Sequence, residues 1–422
     1  MKNNRHKVIV IGAGQAGLAC SHELTRHRIE HVVLERGRIA ESWRSKRWDS
    51  FTLVTPNWMT QLPGWKYLGD EPEGFMPRIE LIELLETYAK SFDSPIREGV
   101  EVLEITKDES GFVLKTSNGI QYCNYVVIAT ATYQKPRIPS IASNFPTDIN
   151  QIHASDYRNS NALPLGATMV VGSGQSGCQI AEEVMKSGRK VYLATGLAGR
   201  LPRRYRGKDG IAWQNILGYL DRTPEMLQSP AMRFRGDPHL TGQDGGRTLS
   251  LHRFLEQGMT LVGRLKEIRG RELLFSDDLT ENISFADKYE VKFCAEVDAY
   301  IDRNKLMVPL PDLLNSDLGG SSQVSTPVHI GKINLDESQI RTVIWATGFD
   351  FDFNWVKMQC LDSQGYPLQK RGVTNVPGLY FLGLNWLYKR KSGILFGITE
   401  DAEYIGQHIA ENIQLVPDGA SS

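Results

Sequence analysis

Lys7-Val-Ile-Val-Ile-Gly12-Ala-Gly14-Gln-Ala-Gly17 decides the fold of this chain. The apolar run Val8–Ile11 reads as a strand buried on both faces, and three glycines follow at the spacing G-x-G-x-x-G. Leu18 to Arg26 then reads as a helix, and His31-Val-Val-Leu-Glu35 as a second strand. This is a β-α-β unit of the kind a parallel sheet needs. In such a unit Gly12 allows the tight turn, Gly14 lets the backbone approach a pyrophosphate, and Gly17 lets the helix pack close to the strand. The helix N-terminus at Gln15 and Ala16 offers free N–H groups and a positive dipole end to the phosphates. Glu35 lies 23 residues after Gly12, followed by Arg36. A carboxylate there can accept hydrogen bonds from both ribose hydroxyls. A glycine turn before a helix can be purely structural. The strand before this one and the acid after it favour the nucleotide reading.

A second copy begins 160 residues later, at Met169-Val-Val-Gly172-Ser173-Gly174-Gln175-Ser176-Gly177. Its helix is expected over Cys178–Lys186 and its second strand over Lys190–Ala194. The residue 23 positions after Gly172 is Thr195 rather than an acid, and Arg200, Arg203, Arg204 and Arg206 follow. A carboxylate would repel a 2′-phosphate, whereas a hydroxyl and guanidinium groups would bind it. The second site is therefore expected to prefer NADPH to NADH, with Thr195, Arg200 and Arg204 as its ligands. The alternative is that the arginine run is a solvated loop.

Outside these copies the sequence is mostly exclusion. The chain has 422 residues, too many for one core, and a formal net charge of −1. No basic excess points to nucleic acid. The strand so close to Met1 leaves no room for a signal peptide, and no run is long and apolar enough for a membrane span. The C-terminal Pro417–Ser422 is polar. Cys20, Cys123, Cys178, Cys294 and Cys360 are scattered without a C-x-x-C pair, so they read as reduced, packed thiols in a cytoplasmic protein. No metal-ligand spacing occurs. A helix is expected over 78–91, strands within 99–130, a linker at Pro136–Pro139, a strand at Thr342–Ala346 and a last helix at about 400–412. The stretch 197–325 is the least legible.

Two further strand ends, Ala129-Thr-Ala131 and Trp345-Ala-Thr-Gly348-Phe349, complete a pattern with Ser42-Trp43-Arg44 and Trp48-Asp49. The pattern resembles the two-dinucleotide-domain flavoproteins and, within them, the class B flavin monooxygenases. That group holds the flavin-containing monooxygenases, the plant auxin-forming enzymes, and the Baeyer–Villiger and N-hydroxylating enzymes. Small bacterial members share a segment like Lys391-Ser392-Gly393. The fingerprint F-x-G-x-x-x-H-x-x-x-Y is present only in its second half, His153-Ala-Ser-Asp-Tyr157, with Thr147 and Ile149 in place of Phe and Gly. No subclass follows from it. Asn57, near the position of an active-site Asn in some relatives, reads as a turn residue after Pro56.

The resemblance implies an α/β fold of two Rossmann-like dinucleotide-binding domains, the NADPH domain inserted into the FAD domain. The FAD domain is expected over 1–160 and 341–422. The NADPH domain is expected over 161–340, with a substrate-pocket or lid insertion at about 205–330. It implies FAD contacts from Trp43, Arg44, Asp49, Val102 (near the adenine), Ala131 and Gly383, and a cofactor-lining role for Gly348. Trp43, Arg44 and Asp49 serve equally well as packing and salt-bridging groups. Lys389-Arg-Lys391 is either a solvated face or part of the site. His153 reads more readily as a structural residue than as a proton donor, and Trp213, Tyr219, Phe234 and Phe254 more readily as core than as pocket. The activity implied is NADPH-driven insertion of one oxygen atom of O2 into a small organic substrate through a flavin C4a-(hydro)peroxide, by N- or S-oxygenation or in the Baeyer–Villiger manner. No catalytic side chain is assigned. A quinone-type reductase and a non-catalytic redox sensor are the alternatives, and a homodimer is an open expectation.

Overall fold

The strand β1 (Arg5–Ile11) is followed by helix α1 (Gln15–Arg26) and strand β2 (His31–Leu34), as the alternation of apolar run, glycine turn and helix requires. The computed structural model describes residues 4–234, 236, 238–310 and 327–415. Helix α1 starts at Gln15, three residues before the expected Leu18, because the turn glycines release into helix at once. The chain continues through α2 (Arg78–Ser91), β3 (Ile96–Arg97) and an antiparallel set, β4 (Val102–Asp108), β5 (Gly111–Thr116) and β6 (Gly119–Ile128). β6 is longer than its apolar end suggests. Its first half pairs with β5 and its second half lies parallel to β1.

The chain then leaves this sheet and builds a second one. Its strands are β7 (Asn150–His153), β8 (Ala167–Val171), β9 (Val191–Ala194), β10 (Thr260–Val262) and β11 (Ile340–Trp345). They run in the order β7-β11-β8-β9-β10, all parallel. Helix α3 (Gln175–Lys186) follows β8, and a long helix α4 (Leu279–Asn304) precedes β11. The chain returns to the first sheet with β12 (Gln369–Lys370), β13 (Val373–Thr374) and β14 (Leu379–Phe381), and ends in α5 (Leu395–Leu415). β14 lies parallel to β6, so all five strands of the second sheet are inserted between two neighbours of the first. β8, β9 and β14 are buried at every residue, as parallel strands covered on both faces must be.

The boundaries expected at 160 and 340 move. β7 and β11 pair with each other in the second sheet, and the two crossings form an antiparallel ribbon of Lys135–Pro136 with Phe349–Asp350. The short β7 carries little periodic signal, and β11 adjoins the returning segment in sequence. The stretch 205–330 is likewise not one insertion, because β10 is a strand of the second sheet. Of its described part, Leu251, Phe254 and Ile283 join one core of the second sheet and Ile268, Leu273 and Phe275 the other, while Ile211, Trp213, Phe293 and Val297 form a separate core with Leu201 and with Met59 of the first unit. Residues 311–326, and the side chain of Phe234, lie outside the described residues, as does the segment Pro417–Ser422. Trp213 and Phe254 are core, while Tyr219 is half-buried and donates to Glu296.

The loop after α1 and β2 locks the two units. Trp48, on that loop, is 2% exposed and packs into the core of the second unit with Tyr157 and Cys178. The Asp49 N–H donates to Arg158 O, and Ser50 donates to Glu183 on α3. Trp48→Ala should therefore lower the unfolding free energy by about 3–5 kcal/mol, the usual cost of deleting a buried indole. Urea unfolding checks this. A loss below about 1 kcal/mol would show that the loop does not carry the junction.

Candidate nucleotide-binding site

The two glycine turns have the same construction. Gly12 has φ +104° and Gly172 φ +107°. A Cβ on either would lie 2.7 Å from Ala129 O or 2.5 Å from Ala346 O, the strand end of the neighbouring β-strand. A Cβ on Gly17 or Gly177 would lie 1.8 Å from the carbonyl oxygen of Gly12 or Gly172. These four glycines are explained by the protein's own atoms. Gly14 and Gly174 are not. They are the N-caps of α1 and α3, with ordinary φ of −83° and −70°, and a Cβ on either would meet nothing within 4 Å. Neither cap has a side-chain hydrogen bond, so no cap side chain occupies the first N–H groups of either helix. The residues thus fit a dinucleotide at each turn: a cradle that a methyl group would fill, at a helix N-terminus suited to an anion.

Around the first turn, Glu35 is buried and its two carboxylate oxygens accept from Ala13 N and Gly37 N, each at 2.8 Å. Gln15 accepts from the Trp43 indole N–H at 3.1 Å. Gly383 (φ +78°) backs onto Ala16, where a Cβ would lie 2.5 Å away. Ala131 has φ +61° on the segment that caps the turn, and its carbonyl accepts from Gln134. The structure therefore brings Gly12, Gly14, Gln15, Ala16, Gly17, Glu35, Trp43, Ala131 and Gly383 together. It does not bring the others. Arg36 is exposed. Arg44 is held by Ile39 O and Glu86, and Asp49 by Arg78 and Asn159. These two are salt-bridging groups under the loop. Val102 pairs with Thr116 in β4, and it is Val100 that donates its N–H to Glu35 O.

At the second turn the carboxylate is replaced by a hydroxyl. Ser173 Oγ accepts from Gly196 N at 3.0 Å, tying the turn to the end of β9 as Glu35 does in the first unit. Thr195 is buried, donates to Val262 O at 2.8 Å and accepts from Asn282, so it faces the sheet rather than a ribose. Gln175 donates to Leu240 O, and Ser176 is exposed at the helix start. The arginine run is spent internally. Arg200 is 3% exposed and pairs with Glu290 at 2.5 Å and Asp287 at 2.8 Å. Arg203 pairs with the buried Asp209, Arg204 with Glu73 and Arg206 with Asp298. Arg200 is thereby turned away from the expected 2′-phosphate, while Arg204 is 43% exposed in its pair with Glu73 and is occupied only at the surface. Neighbours far away in sequence supply the carboxylates that pair with both. The solvated-loop reading also fails for Arg200 and Arg203, which are buried.

Several other residues turn out to be structural. His153 Nδ1 accepts from Ser155 N and its Nε2 donates to Gly348 O, so both ring nitrogens are engaged. Gly348 (φ +84°) closes the ribbon by accepting from Arg137 N. Lys389 and Lys391 pair with Asp221 and Glu400, latching the 220–222 segment to α5. Asn57 opens a 3-10 turn. It is buried and its Oδ1 has no hydrogen-bond partner. All five cysteines are free and buried. Burial pushes the thiols up, Cys294 to about 12, so none is a ready thiolate. Among the described residues no group of three or more His, Cys, Asp and Glu could hold a metal, and no helix is long and apolar enough to cross a membrane.

Two features escaped the sequence reading. Arg47 lies among the rings of Trp43, Phe51 and Tyr133 at 5.2, 5.6 and 5.3 Å, and loss of solvent lowers its pKa. Its three rings come from two separate segments, so no local spacing marks it. His239 is 1% exposed and donates from Nε2 to Ser173 O on the second turn. No local pattern marks this contact, which joins residues 66 apart.

Comparison with known proteins agrees with this geometry. Residues 9–206 match the family described as pyridine nucleotide-disulphide oxidoreductase. A CzcO-like oxidoreductase of Geobacillus kaustophilus is 33% identical over 401 residues, 94% of this chain and 96% of the relative. YUCCA3 of Arabidopsis thaliana, a probable indole-3-pyruvate monooxygenase, is 27% identical over 215 residues, 47% of this chain and 48% of that protein. A flavin-containing monooxygenase from Stenotrophomonas maltophilia has the same fold, with a TM-score of 0.64, 18% identity, and coverage of 97% of this chain and 99% of that one. The fold and the paired turns define an NAD(P)H-dependent flavin oxidoreductase with two dinucleotide-binding units. Within that class the chain belongs to the family of CzcO-like oxidoreductases.

The cradle and the buried imidazole each generate a prediction. Gly14→Ala should leave the stability of the flavin-free protein within about 1 kcal/mol, since the new methyl meets no protein atom. It should weaken FAD retention at least about tenfold, because the methyl occupies the cradle. Flavin content after purification and thermal melts of the stripped protein read the two effects separately, and a fully loaded variant would refute the cradle. Burial lowers the pKa of His239 from 6.5 to about 4. The unfolded chain protonates first, so its stabilising contribution is complete above pH 6.5 and is lost as pH falls towards 4, by about 3 kcal/mol. Urea titrations across that window should show a shallower acid limb for His239→Gln than for wild type. Parallel limbs would mean that another group carries the effect.

Proposed function

We propose that the protein is an FAD-dependent, NADPH-using monooxygenase that places one oxygen atom of O2 on a small organic substrate and releases the other as water. The observation that carries the reading is the pair of unexplained glycines. Gly14 and Gly174 are demanded by nothing in the protein and suit two dinucleotides, one per sheet. FAD belongs at the first turn, with Gly14, Gln15 and Ala16 offering N–H groups to its pyrophosphate and Glu35 accepting from its ribose. NADPH belongs at the second, with Gly174, Gln175 and Ser176 in the same role. When bound, the two cofactors would supply the redox chemistry toward O2, and the protein's part would be position, electrostatics and exclusion of water. The substrate class expected is a soft nucleophile, an amine or thioether, or a ketone.

The protein groups match that division of labour. No dithiol stands beside either turn, which counts against a disulfide reductase. The N-terminus of α5 packs near Gly383 through Ile398, where a helix dipole favours negative charge on a reduced flavin. The ring cage that holds Arg47 joins the first turn, through Trp43, to the ribbon between the sheets, through Tyr133 and Phe349.

Rapid mixing of NADPH-reduced enzyme with oxygenated buffer tests the proposal. A lasting flavin spectrum that is neither reduced nor oxidised is expected, followed by transfer of oxygen-18 from labelled O2 to an accepted amine, thioether or ketone. Direct return to oxidised flavin with stoichiometric hydrogen peroxide would overturn the proposal and favour a reductase working on quinone-like acceptors. Absence of flavin reduction by NADPH would favour a redox sensor.

A further inference from the structure

The arginines expected to read the 2′-phosphate are all committed to carboxylates, so the second turn needs another cation if it is to prefer NADPH. The carboxyl end of β9 corresponds to the end of β2, where the first unit sets Glu35. Beyond β9 the chain turns through Gly196 and Leu197, and a cleft of ≈ 460 Å³ opens between this turn and α4. It is lined by Leu197, Thr280, Glu281, Ser284, Phe285 and Lys288. The five α4 residues recur at three- and four-residue steps, so they form one stripe of the helix facing the strand end.

Three observations converge on this cleft. Leu197 is 52% exposed, an apolar side chain at a strand end that the protein itself leaves uncovered. Lys288 is exposed and makes no ion pair among the described residues. Among the arginines that follow the strand or its neighbour, Arg200 is buried against Glu290 and Asp287, Arg204 pairs with Glu73, and the exposed Arg264 pairs with Asp278 at 3.9 Å. Asn282, on the same helix, donates to Thr195 Oγ1 and so ties the lysine-bearing helix to the residue that replaces the ribose-binding acid. The one carboxylate in the lining, Glu281, lies seven residues before Lys288, roughly 10 Å along the axis. The cleft is therefore polarised, with its positive end at Lys288.

We propose that this cleft takes the adenosine 2′-phosphate end of NADPH, with Lys288 reading the 2′-phosphate and Leu197 and Phe285 as the apolar walls for the base. The assignment rests on the second turn being the NADPH site. In this arrangement the preference for NADPH is set by one lysine on α4 and not by the loop after β9. An ammonium on a flexible stem binds a phosphate as a point charge, so the discrimination it gives is modest and depends on salt.

The test is the ratio of affinities for NADP⁺ and NAD⁺, measured on flavin-loaded holoenzyme by perturbation of the flavin spectrum. Wild type is expected to bind NADP⁺ more tightly. Lys288→Ala should weaken NADP⁺ about tenfold and leave NAD⁺ nearly unchanged, the usual effect of losing one charged hydrogen bond. Lys288→Arg should keep the preference, and Phe285→Ala should weaken both ligands alike. An unchanged ratio in Lys288→Ala, with wild type still discriminating, overturns the assignment alone. A wild type that binds both ligands equally, or neither, overturns the NADPH reading and this assignment with it. Because Lys288 is exposed, loss of folding in the variant is not expected, and a thermal melt of each variant separates the two causes.

Discussion

At Gly17 and again at Gly177 a helix is pressed onto a strand so closely that a single methyl group would lie inside the turn's own carbonyl oxygen. That contact fixes where each helix begins and hence where its free N–H groups point. It also explains why the chain holds two open N-caps, at Gly14 and Gly174, each beyond the carboxyl end of a parallel strand. In open parallel sheets ligands bind at such ends. The remaining architecture places the two ends in one molecule. The second sheet is inserted between two neighbouring strands of the first, and the chain crosses twice through one ribbon.

The second unit differs from the first in how it uses charge. Glu35 stands at the strand end and holds backbone N–H groups of the first unit. Its counterpart in the second is Thr195, turned into the sheet, with Ser173 making the tie to the strand end. The carboxylates reappear on α4 as Asp287 and Glu290, where they neutralise Arg200. Burying an ion pair is costly, and removing one partner costs more than the pair contributes. Arg200 therefore holds α4 against the loop after β9 at the expense of being free for a ligand. The same logic applies to Arg203 and Asp209, both buried and joined at 2.7 Å.

What could be read from the sequence is what is local. The glycine turns, the strands around them and the helix Arg78–Ser91 depend on residues within a few positions of one another, and their periods and spacings declare them. The arginine run reads correctly as a run of cations. Its partners do not, because Glu290 is 90 residues from Arg200 and Glu73 is 131 from Arg204. Trp48 shows in the pattern as a family mark, but its role as an anchor in the second core depends on Tyr157 and Cys178, which no spacing links to it. β10, three residues long, is too short to show a period, and α4 was hidden among mixed patterns in the least legible stretch. Arg47 shows the same limit in the site itself: its cage joins three rings from two segments, and only the fold assembles it.

The relative position of the two units follows from magnitudes. Several ion pairs cross between them or lie on the ribbon, among them Lys46–Asp156 and Arg137–Asp350, but both partners of each are about half exposed. Such pairs contribute at most about 1 kcal/mol each and weaken with salt. Trp48 is buried in the second core and Met59 in the core around Trp213, and burying a large apolar side chain stabilises by about 1.5–3 kcal/mol. Apolar burial therefore outweighs these surface pairs at the junction, and raising salt leaves it in place. A cleft held by apolar anchors keeps its shape while the surface charges around it are screened, so salt acts on the cofactor's phosphates without moving the walls that position its reactive end.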